Sequence, residues 1–423
     1  MTVLHQRPAD AARAAIDVQL WPEVALVPHS PVRAAVARRI FHAAVGRLSL
    51  VVAEPGGRAY GGGQHGDPVL QLVRPASFFS RVGATGTIGF GEAFMAGDWT
   101  ADDLAGVLSA FASNMGDLVP RSLQRLRHTV LERLPASHDN TVEGARQNIH
   151  HHYDLSNELF ATFLDETLTY SCALFDAEPY GSSDDLGDAQ RRKVDRLLDA
   201  AHVSEGTRVL EIGTGWGELA IRAAARGALV TSLTISKQQA ELARRRIADA
   251  GLTDRATVLL RDYREADGSY DAVVSVEMIE AVGANHWDEY FGAIDRLLVP
   301  GGRVGLQAIL QDDHTVLATS ETYTWIRKYI FPGGQIASVE AIERVLAAST
   351  SLRIADRYVF GRHYAETLRR WRERFEANAV RVTALGFDET FRRMWSLYLA
   401  YSEAGFRTGY LDVAQFTLTK PLA

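Results

Sequence analysis

The run VLEIGTGWGE at 209–218 constrains this chain more than any other segment. An apolar stretch that reads as a strand leads straight into glycines at 213, 215 and 217, and a helical pattern follows. Glycines let a backbone turn tightly and approach a ligand with no Cβ in the way, and a helix start adds unpaired N–H groups. The spacing GxGxxG at such a place suits a dinucleotide and its pyrophosphate. Here the spacing is ExGxGxG, with Glu211 on the strand facing the loop. A carboxylate there can accept hydrogen bonds from an ammonium group, which suits the amino-acid end of S-adenosylmethionine. A dinucleotide fold also wants a ribose-binding acid about 20 residues further on. The segment TSLTISKQQ at 231–239 has none. The loop alone favours S-adenosylmethionine, with a dinucleotide site and a bland turn as the alternatives.

From residue 188 the pattern alternates. A helix over 188–202 precedes the strand RVLEI, and a helix over 219–226 precedes ALVTSLTI. A helix over 237–250 leads to ATVLLRD, then DAVVSV, another helix and RVGLQAIL. This predicts an α/β fold with a doubly wound, Rossmann-like parallel sheet. The tail GFRTGYLDVAQFTLT reads as an antiparallel hairpin closing the sheet edge. Before it lies a smaller mixed α/β region, with strands at LSLVVA and VLQLV and a helix over 31–48 carrying Arg33, Arg38, Arg39 and Arg47. A second basic helix is expected around Arg121, Arg125, Arg127 and Arg133. The polar stretch ASHDNT at 136–141 is the best linker, giving an N-terminal domain over 1–140 and a second domain over 141–423.

Composition excludes several classes. A net charge of -7 argues against a dedicated nucleic-acid binder. One cysteine leaves no disulfide framework and no Cys-rich zinc site, and suits a reducing cytoplasm. No apolar run reaches the length of a membrane span, and the start MTVLHQRPADAARAA has no secretory apolar core. His150, His151 and His152 are adjacent, so they do not share a helix face, and no metal is expected. The basic helices are either solvated faces or docking surfaces for an anionic lipid.

Four more segments carry a family pattern: HYDLSNELF at 152–160, TYSCALF at 169–175, SVEMIEAVG at 275–283, and FRRMWSLYL at 391–399 with GFR at 405–407. With the glycine loop they resemble the cyclopropane fatty acid synthase and mycolic acid methyltransferase family, from about residue 145 to the end. The stretch GFGEAFMAGDW at 89–99 resembles the N-terminal domain of the longer, phospholipid-acting members. The length and the Arg/Ala-rich composition resemble actinobacterial fatty acid methyltransferases.

The resemblance implies a class I methyltransferase domain that transfers the methyl of S-adenosylmethionine to a cis double bond of an acyl chain. An alkene is a weak nucleophile, so the methyl sulfonium must be held in line with it in a dry pocket. Attack leaves a carbocation, which a base must quench by removing a proton. In the family that base is a bound bicarbonate, and its ligand positions fall on Cys172, Glu280, Gln307, Ile309 and Tyr398. Glu280 and Tyr398 are expected to hydrogen-bond the ion, and Cys172 and Ile309 to offer mainly backbone. Gln307 departs from the pattern, since many members carry histidine there. The cofactor positions carried over are Tyr170, Ser171, Glu211, Gly213, Gly215, Gly217, Thr234, Gln239 and Tyr263. Thr234 and Gln239 are expected to serve the ribose or methionine end, and Tyr263 to stack on adenine.

Loss of a proton from the added methyl is read as the route to a cyclopropane, and loss from a neighbouring carbon as the route to a methylene branch, which is favoured. The expected partners are an unsaturated acyl phospholipid at the membrane surface, a second copy in a homodimer, and a separate reductase acting on a methylene product. The expected location is cytoplasmic and peripheral at the inner membrane. The alternatives are a non-catalytic lipid-binding protein on the same fold and a small-molecule N- or O-methyltransferase. The aromatic run Tyr323, Trp325, Tyr329 and Phe331 is either core or acyl-tunnel lining.

Overall fold

The computed structural model describes residues 16–114, 156–176, 184–320 and 322–422. The expected linker, the basic segment 121–133 and the histidines at 150–152 lie outside them.

The alternating segments form one sheet of seven strands, ordered β10-β11-β9-β8-β5-β6-β7. Here β5 is Arg208–Ile212, β6 Leu229–Thr234, β7 Ala256–Leu260, β8 Tyr270–Val276, β9 Leu298–Leu310, β10 Arg353–Val359 and β11 Asp412–Thr419. Strands β5 to β9 run parallel, and β11 lies antiparallel to both β9 and β10. Alternate residues of a strand face opposite sides. Val209, Val230 and Val274 therefore join the core under the helices Leu186–Ala200, Glu218–Ala225 and Lys237–Asp249. Leu210, Leu233 and Val273 join the core under Trp287–Leu297 and Val339–Ser349. Helices on both faces explain why these strands read as near-continuous apolar runs.

The tail differs from the expected hairpin. Gly405 to Arg407 end the helix Glu389–Arg407, and only Asp412–Thr419 is strand. That strand is inserted between β9 and β10 rather than lying at the edge. The edge strand, β10, was not anticipated. Nearly all its residues are exposed and its sequence, RIADRYV, carries three charges, so it lacks the apolar run that marks a buried strand.

The N-terminal region builds a second sheet, ordered β2-β1-β3-β4, from Val51–Ala53 (β1), Ala59–Tyr60 (β2), Val69–Leu72 (β3) and Trp99–Ala101 (β4). Its helices Thr87–Met95 and Leu104–Ala112 pack on the helix Glu389–Arg407. One apolar cluster runs from Val45, Phe78 and Trp99 through Phe160 and Cys172 to Trp371, Trp395 and Tyr398. Within the 89–99 motif, Asp98 is structural. It accepts from Arg74 at 2.7 Å and from the buried Arg81 at 2.9 Å, and Arg81 also donates to Glu23 O, Val24 O and Leu26 O.

Candidate active site

Five parallel strands end on the same side, and one cavity opens beyond their carboxyl ends, where ligands of open α/β sheets bind. Its walls include Tyr170, Ser171, Glu211, Gly213, Gly215, Thr234, Gln239 and Tyr263, all expected from the sequence. Gly217 closes the loop as the residue that caps the helix Glu218–Ala225. The loop needs its glycines. Gly213 has φ 97° and an added Cβ would lie 2.6 Å from Met278 Cγ. Gly215 has φ 51°, and the space its Cβ would enter is open. The loop is anchored by Trp216, whose Nε1 donates to Asn157 Oδ1 at 2.7 Å and whose carbonyl accepts from Arg246 at 2.7 Å.

Glu211 is buried, and its Oε2 accepts from Ser232 Oγ, which is 2.6 Å from Thr214 Oγ1. Burial raises its pKa to about 8, against the bond from Ser232. A buried carboxyl beside an open glycine cradle fits a cationic amino-acid ligand, so the residues present fit S-adenosylmethionine. Thr234 Oγ1 donates to Gln239 Oε1 at 3.0 Å, which fixes the glutamine amide on the cavity wall. Ser171 Oγ accepts at 2.6 Å from Lys193 Nζ, an almost fully buried ammonium whose pKa is lowered to about 8, chiefly by burial.

The residues expected to hold an anion are also brought together, and most of their polar groups have protein partners, Glu280 Oε2 being the exception. Cys172 N donates to Glu277 Oε1 at 3.0 Å, and Gln307 Nε2 donates to the same oxygen at 2.8 Å. Gln307 Oε1 accepts from Gln415 Nε2 at 3.1 Å. Ile309 N donates to Glu280 Oε1 at 2.5 Å. Tyr398 OH lies 2.6 Å from Tyr170 OH. Glu277 itself completes the set, for Tyr364 OH donates to its Oε2 at 2.6 Å. Bicarbonate would have to share these donors with two carboxyl groups and stand beside the charge of Glu277. The residues present do not fit it, and no step is routed through it. Gln307, expected at the ion, has both ends of its amide held by protein.

Glu277 sits in the quoted segment SVEMIEAVG but was not singled out, and it lines the same cavity as the cofactor residues. It is one of the few non-glycine residues with positive φ, at 51°, a conformation that bulky residues avoid. The bond from its own N–H to Gln307 O, at 2.8 Å, helps hold it there. Burial raises the pKa of both carboxyls, and that of Glu280 reaches about 8 with Glu277 as a further cause. Glu277 accepts three hydrogen bonds and Glu280 Oε2 has no partner, so Glu277 is the better placed of the two to carry the charge. The nearby Lys193 ammonium acts against burial at Glu277, lowering its pKa.

The aromatic run divides. Trp325 Nε1 points at Met95 Sδ, 3.4 Å away, and Tyr329 OH donates to Glu92 Oε1 at 2.9 Å, so both bind the N-terminal helix Thr87–Met95. Phe331 instead stands edge-on to Tyr398, with ring centres 5.6 Å apart. Lys328 joins this contact by bridging Glu92, at 2.7 Å, and Glu23.

Comparison with known proteins settles the family. Residues 140–416 match the family described as mycolic acid cyclopropane synthetase. The chain belongs to this family. It is 52% identical over 413 residues, 96% of this chain and 97% of the relative, to tuberculostearic acid methyltransferase UfaA1 of Mycobacterium tuberculosis. It is 33% identical to the cyclopropane-fatty-acyl-phospholipid synthase of Escherichia coli, over 82% of this chain and 87% of that one. Among solved structures, mycolic acid cyclopropane synthase CmaA1 complexed with SAH and CTAB aligns with a TM-score of 0.59 and 31% identity, over 65% of this chain and 98% of that one. The chain is therefore an S-adenosylmethionine-dependent methyltransferase that acts on fatty acids, on a Rossmann-like class I fold. Among the described residues no helix is long and apolar enough to cross a membrane.

Proposed function

We propose that this chain methylates a cis double bond of an unsaturated acyl chain carried by a phospholipid, and that its product is methylene-branched. The observation that carries the reading is the shared cavity: the glycine cradle and Glu211 stand on one wall, and the half-buried carboxylate Glu277 stands on the same lining. A base beside the methyl donor is what carbon methylation of an alkene needs and what N- or O-methylation of a basic heteroatom needs far less. S-adenosylmethionine supplies an electrophilic methyl group. Glu211 binds its ammonium end, the glycine loop lets its backbone pass, and Tyr170, on the cavity wall and in contact with Tyr398 through its hydroxyl, offers an aromatic ring near the place where a cation develops.

Electron counting corrects the route given for the methylene branch. The alkene π pair makes the new carbon–carbon bond as the carbon–sulfur bond breaks, leaving a cation on the neighbouring chain carbon. A hydride shifts to that carbon from the methylated one, and the new methyl then loses a proton to form the methylene. Without the shift, loss of a proton from the same methyl closes a cyclopropane. Both products therefore need a base beside the added methyl. The similarity to a relative named as a methyltransferase, rather than a cyclopropane synthase, over nearly the whole chain favours the branch. A separate reductase would then convert methylene to methyl.

Docking to the bilayer is supported by an exposed apolar patch in the N-terminal region. Val18, Leu20, Leu26, Val27, Val32 and Val36 are each exposed within one short stretch of sequence, with Arg33 and Arg39 on the same helix as the last two. Arg38 is otherwise engaged, with Glu54 at 3.1 Å and over the Phe79 ring. Expression in a host rich in oleoyl lipids, followed by mass spectrometry of acyl methyl esters, tests the reading. A chain lengthened by one methylene-type carbon is expected, and unaltered lipids with methylated small amines would overturn it.

A further inference from the structure

We propose that Glu277 is the built-in base of this enzyme, its carboxylate standing where a bound anion would otherwise be held. This rests on the proposed alkene methylation and names the group that completes it.

The geometry is specific. Backbone N–H of Cys172 and the amide of Gln307 converge on Oε1, and the Tyr364 hydroxyl binds Oε2. These donors come from the 169–175 segment, from β9 and from the helix Gly361–Ala377, so three separate elements position one carboxylate. Gln307 is itself held by Gln415 on β11, whose amide also donates to Lys193 O at 3.1 Å and whose oxygen accepts from Arg196 at 2.8 Å. Such a chain of buried bonds fixes the amide orientation, so Gln307 can present only its NH2 group to Glu277. Glutamine cannot titrate, so it cannot compete for the proton. A carboxylate covalently attached to the chain also has no dissociation step, and its effective concentration does not depend on dissolved bicarbonate.

The balance is complete. After methyl transfer and the hydride shift, Glu277 takes a proton from the added methyl, and the carbon–hydrogen pair becomes the second bond of the methylene. S-adenosylhomocysteine and the neutral lipid remain, and the proton leaves Glu277 for solvent between turnovers. Gln307, Tyr364 and the Cys172 N–H are positioning groups. Glu277 alone touches the reacting hydrogen.

The test uses the purified full chain, S-adenosylmethionine and vesicles of dioleoylphosphatidylglycerol, in buffers stripped of carbon dioxide or supplemented with bicarbonate. The parent is expected to keep its rate within about two-fold in both buffers. Glu277→Gln should lose at least about 100-fold, the scale of an acid–base group, with affinity for S-adenosylhomocysteine kept within a few-fold. Glu277→Gly opens a space for an anion, and added bicarbonate or formate should restore its rate at least about ten-fold, which a merely structural role would not allow. A parent that stalls without bicarbonate and recovers with it overturns the proposal, whatever the variants do. So does a Glu277→Gln form within a few-fold of the parent. If the parent makes no methylated lipid in either buffer, it is the proposed reaction that fails.

Discussion

Glu211 should make cofactor binding depend on pH in a calculable way. Its carboxyl is buried, and burial raises its pKa to about 8, so it is mostly protonated in the free protein at neutral pH. A cationic cofactor needs the ionised form, and ionising it must be supplied from the binding energy. With a pKa of about 8, that cost is roughly 3 kcal/mol at a pH of about 6, roughly 1 at about 7 and less than about 1 at about 8. Affinity for S-adenosylhomocysteine should therefore rise roughly ten-fold over the first interval and by less over the second, with close to one proton released per ligand bound at a pH of about 6 and about half at about 8. Titration calorimetry in two buffers of different ionisation enthalpy measures both the affinity and the proton count. In Glu211→Gln the group no longer titrates, and the rise should shrink to less than ~3-fold per interval, the remainder belonging to Lys193, whose pKa also lies at about 8. A parent affinity that is flat with pH would refute the reasoning, as would a Glu211→Gln slope equal to the parent's.

Gly215→Val should abolish binding of S-adenosylhomocysteine, because the side chain enters the open cradle at a residue whose φ of 51° also disfavours branching; unchanged affinity in the folded variant would remove the cofactor assignment. Glu280, with a folded pKa of about 8, holds its proton in the native state and releases it on unfolding near the ordinary carboxylate pKa. That stabilisation is fully present in acid and is lost as pH rises toward about 8, so Tm should fall across that window and fall less in Glu280→Gln. The same variant should keep cofactor affinity within a few-fold and slow turnover far less than Glu277→Gln does, and a loss equal to that of Glu277→Gln would place Glu280 in the base itself. Val32→Ser with Val36→Ser should weaken sedimentation with anionic vesicles, and Arg39→Gln should weaken it further and mainly at low salt, while activity on detergent-dispersed lipid is spared. Equal vesicle binding by all forms would place the docking surface elsewhere.

The parallel sheet and the cofactor loop were legible because their signals are local. A strand, three glycines and a helix start are neighbours in sequence, and Glu211 is placed by strand geometry alone. β10 was illegible because an edge strand with charged, exposed side chains has no apolar period to read. The tail hairpin failed for a related reason: its first half continues the periodic apolar face of the helix Glu389–Arg407. Glu277 could not be found from spacing, since its partners lie at 172, 307 and 364 and meet only when three elements pack. One signal was there to be used. The chain has four lysines among its many arginines, and two of them, Lys193 and Lys328, are the buried ammonium of the site and the bridge from the 325–329 helix to the N-terminal region. The resemblance carried residue positions but not their partners: Gln307, expected at an ion, donates its amide to Glu277 Oε1.

The most direct test of the account is a single turnover assay with S-adenosylmethionine labelled as CD3, the purified chain and dioleoylphosphatidylglycerol, read by mass spectrometry of the released acyl chains. The account predicts one added carbon bearing two deuteriums, because the base removes its proton from the transferred methyl. Retention of all three deuteriums on the acyl chain would contradict removal from that methyl, and label found only on a nitrogen or oxygen would contradict carbon methylation altogether.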